Sequence, residues 1–150
     1  MPKVDLARIE QISRTGYPEP YARDVAGRLH RRVGEATGLT AIGISHVVLA
    51  PGAWSSQRHW HEGIDEIVVI LDGEAVLIED GGETIVRAGD LAVFPKDVAN
   101  GHHLVNRSDR NCTFVAIDNR DGEGDCHYPD IDLRWDRAAN RYTRTDGTTY

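Results

Sequence analysis

The sequence predicts an all-β fold in one domain, a sandwich or a barrel, and three observations carry that expectation. Short runs rich in Val and Ile recur at roughly 8–12-residue intervals from residue 40 onward. Each run closes on Gly, Pro, Asn or Asp. Two of the closures are Asp72-Gly73 and Asp80-Gly81-Gly82, which supply the positive φ values of tight hairpin turns. No stretch of helical periodicity separates the runs, which argues against alternating strands and helices. The chain of 150 residues, 40% hydrophobic and 27% charged, is long enough to bury a core without disulfide or metal staples.

In chain order, residues 1–39 read as an extension that packs on the core. Pro18-Glu19-Pro20 is a breaker. After it Val25, Leu29 and Val33 fall at helical spacing, while Leu29, Arg31 and Val33 alternate as a strand would, and the glycines at 27 and 34 tilt the reading toward strand. Residues 40–118 hold the β core: Ala41–Leu49, Glu66–Leu71, Ala75–Glu79, Thr84–Arg87, Leu91–Phe94, His102–Val105 and Cys112–Ile117. Residues 119–150 are polar with isolated aromatics and read as a tail of little regular structure lying over the barrel. No repeat or shift in composition marks a second domain.

Charge and composition narrow the function classes. A formal net charge of -7 and an isoelectric point near 5.4 disfavour a nucleic-acid binder or a protein of anionic membranes. No apolar run reaches the ~18–20 residues of a bilayer span, and the charged start MPKVDLARIEQ lacks the apolar core of a secretory signal. Cys112 and Cys126 are too few for a disulfide framework and lie far from CxxC spacing. The expectation is a reduced, cytoplasmic protein with a buried, inert Cys112.

The chemistry concentrates in His59-Trp60-His61, Glu66 and His102. On a strand, His59 and His61 project from one face about 6.5–7 Å apart, close enough for both imidazoles to reach one ion. A turn at Glu62-Gly63-Ile64-Asp65 would bring Glu66 back at the pair from an antiparallel strand, and His102 would arrive from a distant one. Three imidazoles and a carboxylate suit one divalent transition ion, Zn, Mn, Fe, Ni or Co, with positions left for water or a ligand. His103 is the alternative to His102, facing the opposite way, and Glu62 and Asp65 are alternatives to Glu66.

These residues sit in a recognisable frame. Gly52, then His59-x-His61, Glu66 and Gly73 resemble the first motif of the cupin superfamily, with one extra residue after the first glycine. Gly89, Phe94-Pro95, His102 and Asn106 resemble the second, although the loop from Pro95 to His102 lacks the family's glycine and is two residues longer. The motifs span about a third of the chain. The resemblance, to small single-domain bacterial cupins labelled sugar-phosphate isomerases, implies a jelly-roll β-barrel with His59, His61, Glu66 and His102 holding a metal near its mouth. It implies a metal-dependent enzyme of isomerase or lyase type acting on a small polar metabolite. A non-catalytic metal- or ligand-binding cupin and an iron-dependent dioxygenase are the competing readings. No residue stands out as the general base.

Strand parity sorts the rest of the pocket. Ser55 and Gln57 share the face of His59 and His61 and are expected to point inward as substrate contacts, with His46 as a further pocket candidate. Val68, Ile70 and Leu104 are expected to line the pocket with apolar surface. Trp54, Ser56, Arg58 and Trp60 would point out, the tryptophans covered by the tail or by a second subunit, since a homodimer is the expected assembly. Phe94 and Phe114 read as core, and His30 and His127 as ordinary histidines.

Overall fold

The computed structural model describes residues 3–150. Its strands are β1 (Arg28–Arg32), β2 (Ile42–Leu49), β3 (Trp60–His61), β4 (Glu66–Asp72), β5 (Glu74–Glu79), β6 (Gly82–Arg87), β7 (Leu91–Phe94), β8 (His103–Val105), β9 (Cys112–Asn119), β10 (Cys126–Tyr128), β11 (Leu133–Asp136) and β12 (Arg141–Thr143). One helical turn, α1 (Val33–Ala36), and two 3-10 turns at Leu6–Arg8 and Tyr21–Val25 complete the elements. No helix among the described residues is long and apolar enough to cross a membrane.

Every strand pair within the three sheets is antiparallel. A five-stranded sheet runs β1-β2-β9-β4-β7 and faces a three-stranded sheet ordered β6-β5-β8. Alternation puts Val47, Leu49, Val68, Ile70, Phe114 and Ala92 of the first sheet against Ala75, Leu77, Val86 and Leu104 of the second, forming one buried apolar cluster. The result is a jelly roll whose two sheets clasp a core without closing into a continuous barrel. The Asp72-Gly73 pair turns β4 into β5. Gly73 has φ 75, and a Cβ there would collide with the Asn111 carbonyl oxygen, so only glycine fits the turn.

The extension settles as a strand at 28–32, paired with β2 from Arg28↔Leu49 to Arg32↔Ser45. The tail is more regular than the sequence suggests. β10, β11 and β12 form a four-stranded sheet with β3. Its apolar side is aromatic rather than aliphatic, which hides the period-2 signal. Cys126, Tyr128 and Leu133 pack there with Tyr17, Tyr21, Trp135 and Tyr142. The same sheet covers one tryptophan: Trp60 stacks on His127 of β10 at 4.3 Å between ring centres.

Asn106 locks the end of β8. It is fully buried, its amide donates to the Leu49 and Arg110 carbonyls, and its oxygen accepts from the Ser108 amide and hydroxyl. All four of its hydrogen-bonding positions are used. Asn106→Ala removes the donor to the buried Leu49 carbonyl and the acceptor for Ser108, and is expected to cost about 1–3 kcal/mol, read as a lower urea midpoint with an unchanged slope.

Candidate metal centre

The segment from Trp54 to His59 is not a straight strand. It runs beside β8, touching it through the bridges Trp54↔Val105 and His59↔His102, and bends in between. The second bridge matters most. Paired amide–carbonyl bonds between His59 and His102, 2.9 and 3.2 Å long, bring two histidines separated by 43 positions side by side. The turn after His61 delivers Glu66 at the start of β4.

Three donors converge as a result. Ligand atoms of His59, Glu66 and His102 all lie within 4.8 Å of one another. His61 approaches the same carboxylate, its Nε2 3.7 Å from Glu66 Oε2, and His102 Nε2 stands 3.5 Å from that oxygen. The four residues predicted from sequence therefore meet at one place. Cys126 joins them unannounced: its thiol groups with His59 and His61 within the same distance. Tail cysteines carry no sequence signal of proximity, and only the pairing of β10 with β3, Cys126↔His61, creates it.

The imidazoles are oriented for coordination. His59 Nδ1–H donates to the Gln57 carbonyl at 2.8 Å, and His102 Nδ1 faces the Asn100 carbonyl at 3.3 Å. Both arrangements leave Nε2 with its lone pair directed at the cluster. His102 Nε2 is buried and has no hydrogen-bond partner. The ring is fixed by Phe94, stacked on it at 3.5 Å and 3°. Burial, reinforced by the neighbouring imidazoles, pushes His59 down to about 3, so it is neutral near pH 7. Burial alone would push the Glu66 carboxyl up. The surrounding imidazoles, His102 nearest at 3.5 Å, outweigh that and hold it well below the usual carboxylate range. Neutral nitrogens, one carboxylate and a buried nitrogen with nothing to bond are what a divalent ion requires, and the residues fit the group.

The centre forms one end of a cavity of about 270 Å³. Ser55, Ser56, Val68, Phe94, Leu104 and Phe114 contribute to its walls. Ser55 is thus in the pocket as expected, and its hydroxyl accepts from the Leu104 amide. Val68 and Leu104 line it as expected, while Ile70 lies in the core below. Two sequence assignments are corrected. Gln57 does not face the cavity: because the segment bends at Ser55-Ser56, its side-chain amide turns outward and donates to Tyr21 O and Asp24 Oδ2 of the extension. The same bend brings Ser56, expected outside, into the wall. His46 is also excluded, since Ser45 and Val47 of β2 face inward and alternation sends His46 to the opposite side. His103 has its Nδ1 on the Ser56 carbonyl and its ring edge against Trp54, and it reaches no donor of the cluster. Arg58 points out and is clamped by Asp130 and Asp80.

What sequence reasoning missed is the far wall: Arg28, His30 and Arg32 of β1 all face the cavity. Their i, i+2, i+4 spacing is the available signal, but the run carries no apolar face to show which side is inward.

Comparison with known proteins agrees with this architecture. A family model described as a cupin domain matches residues 45–118. A crystal structure from Silicibacter pomeroyi, described as a sugar phosphate isomerase from a cupin superfamily, is 38% identical and superposes with a TM-score of 0.93 over 99% of this chain and 96% of that one. The chain belongs to the cupin superfamily. Two curated relatives match more locally. An oxalate-binding protein of Thermotoga maritima is 35% identical over 69 residues, which are 46% of this cupin and 54% of that protein. An endoribonuclease YbeY of Myxococcus xanthus is 30% identical over 106 residues, 71% of this cupin and 30% of that protein. The cupin spans only about a third to a half of these two relatives.

Replacing His59 or His102 by Ala is expected to lower affinity for a divalent ion by more than about tenfold while the far-ultraviolet spectrum is unchanged. His103→Ala is expected to leave metal content as in the wild type. Plasma mass spectrometry of protein purified without affinity nickel reads both.

A pH dependence follows from the same burial. His30, His46, His59, His61 and His103 all titrate below their ordinary value, in each case chiefly because burial disfavours the charged ring. The unfolded chain binds protons at about 6.5 and the folded one does not, so metal-free stability falls as pH drops from about 6.5 toward 4. His59 alone supplies up to about 1.4 kcal/mol per pH unit in that window, and denaturant midpoints at pH 7.5, 6 and 5 measure the slope.

Proposed function

We propose that this cupin is a metal-dependent enzyme of isomerase or lyase type acting on a small polar metabolite, with a sugar phosphate as the first substrate class to test. The observation that supports the reading best is a cavity with two differently charged ends. One holds His59, Glu66 and His102, with His61 beside the carboxylate, and the other presents Arg28, His30 and Arg32. Its volume of about 270 Å³ lies just under the ~300–1,000 Å³ of pockets for drug-sized ligands, which suits a metabolite of a few carbons. The name of the Silicibacter relative points the same way.

A bound divalent ion would supply Lewis-acid polarisation of a substrate oxygen. The chain's own residues do the rest. Phe94, Phe114, Val68 and Ala116 line the cavity and exclude water around the substrate's carbon skeleton. His30 is the base that the sequence did not reveal. Burial, then the charges of Arg28, Arg32 and Arg14, keep its imidazole neutral, and its buried Nδ1 has no hydrogen-bond partner. A neutral ring at the cavity wall can take a proton from one substrate carbon and return it to its neighbour, and the hydroxyl proton passing from one substrate oxygen to the other completes an aldose–ketose interconversion.

The test is an assay of aldose and ketose phosphates with protein of known metal content. Turnover is expected to vanish on chelation and return with the ion, and His30→Gln is expected to lower kcat by about a hundredfold or more with metal content unchanged. The oxalate-binding relative favours a second reading, a cupin that holds a ligand without turnover. Ligand-induced thermal stabilisation with no product would establish that reading, and substrate-dependent oxygen uptake by an iron-loaded protein would establish an oxygenase.

The proposed assembly is a homodimer. Ile67 and Leu71 of β4 and Leu91 and Val93 of β7 leave an apolar outer face 37–63% exposed at a sheet edge. Such a face needs a cover. Light scattering giving twice the 16.6 kDa chain mass supports it, and a strict monomer excludes it.

A further inference from the structure

We infer that β1 builds an oxyanion subsite in which the Arg28 and Arg32 guanidiniums hold a phosphate or carboxylate group at the end of the ligand remote from the metal donors. The inference rests on the proposed cavity function only for naming what else the ligand touches.

Register carries the argument. Arg28, His30 and Arg32 lie on one face of β1 and pair with Leu49, Val47 and Ser45 of β2. Those residues continue across the sheet to Cys112, Phe114 and Ala116 of β9, and Phe114 and Ala116 lead on to Ile70 and Val68 of β4, the strand that begins with Glu66. The inner face therefore reads cation, aliphatic and aromatic floor, then carboxylate over three strand spacings of ~4.8 Å, with Arg32 in the row of Val68, two residues from Glu66, and Arg28 four residues further along β1.

Electrostatics makes the β1 end a site for negative charge. Arg28 lies at the cavity wall. Its Nη1 donates to the Ser55 carbonyl at 2.7 Å, but its Nε is buried with no hydrogen-bond partner. No carboxylate lies within ion-pair distance of Arg28 among the described residues. Arg32 has one carboxylate near, Glu35 at 3.5 Å on the solvent side. Between them His30 feels the charges of Arg28, Arg32 and Arg14. Two guanidiniums on one cavity wall, Arg28 with no carboxylate paired to it, give an entering anionic ligand a positive field and donors to bond. The planar fork of arginine matches the two oxygens of a phosphate or carboxylate. The metal-end carboxylate, Glu66, is turned to the imidazoles and does not neutralise this wall.

The experiment uses metal-free protein, so that neither the ion nor turnover contributes. Inorganic phosphate and oxalate are titrated separately by calorimetry at pH 7.5 in a buffer without other oxyanions. The wild type is expected to bind at least one of them, and Arg28→Gln to weaken it by about tenfold or more. Arg32→Ala is expected to weaken it by a smaller factor, and Arg107→Ala, whose side chain is paired with Glu83 on the surface, to match the wild type. A preference for phosphate assigns the subsite to phosphoesters, and a preference for oxalate assigns it to carboxylates. Arg28→Lys keeps the charge and the reach toward Ser55, and it guards against misfolding of the glutamine variant. Its affinity is expected to fall between the two. Wild-type protein that binds neither anion, or Arg28→Gln and Arg32→Ala variants that bind as the wild type does, would overturn the subsite. Binding that depends on both arginines in a protein that turns over no sugar phosphate supports the subsite and removes only the enzymatic reading.

Discussion

The constraint on which the rest depends is the burial of the Glu66 carboxylate. An ionised carboxyl taken out of water costs several kcal/mol unless it is paired or coordinated. Among the described residues no arginine or lysine lies within ion-pair distance of Glu66; its neighbours are His61 and His102 at 3.7 and 3.5 Å, with His59 in the same cluster. Uncharged imidazoles compensate a carboxylate poorly, and protonated ones are opposed by burial of the rings. A divalent cation resolves the conflict, because it satisfies the carboxylate and the nitrogen lone pairs together. The arrangement is strained as a polar core and coherent as a binding site.

Local backbone geometry exists to serve that cluster. The His59↔His102 bridge, the turn at residues 62–65 and the stacking of Phe94 on His102 each fix one donor. The tail contributes as well, since β10 pairs with β3 and covers the side of His59 and His61 away from the cavity. Tyr128 lies 5.8 Å from the His59 ring, and Cys126 stands beside both imidazoles. A tail that sheathes the donors keeps water from competing on that side.

The legibility of the sequence follows from this division of labour. Strands β2, β4, β5 and β7 could be read because each buries one aliphatic face and stops at a turn residue, so Val, Ile and Leu alternate visibly. The convergence of His59, His61, Glu66 and His102 could be read because His-x-His and the following Glu have fixed spacing around one turn. Gln57 was misplaced because parity assumes a straight strand, and a two-serine bend breaks it without any Gly or Pro to announce the break. His46 was misplaced by one step of the same alternation. The tail sheet escaped notice because its inward residues are Cys, Tyr, Leu and Thr, of which only leucine has an aliphatic signature.

The far wall was invisible for a deeper physical reason. Arg-Leu-His-Arg-Arg presents polar groups on the inward face, opposite to the usual pattern of a core strand, and such a strand reads as solvent-facing or as nothing at all. It folds inward because β2 pairs with it over five residues and because the cavity leaves room for three long polar side chains. A fold selected for stability alone would fill that space with Val and Leu. Arg28 and His30 instead put polar side chains on that wall, each with a buried nitrogen that has no hydrogen-bond partner. The residues matched by the cupin family model begin at 45 and supply the metal end. β1 precedes them, so the wall of Arg28, His30 and Arg32 comes from the segment in which this chain extends beyond the matched core.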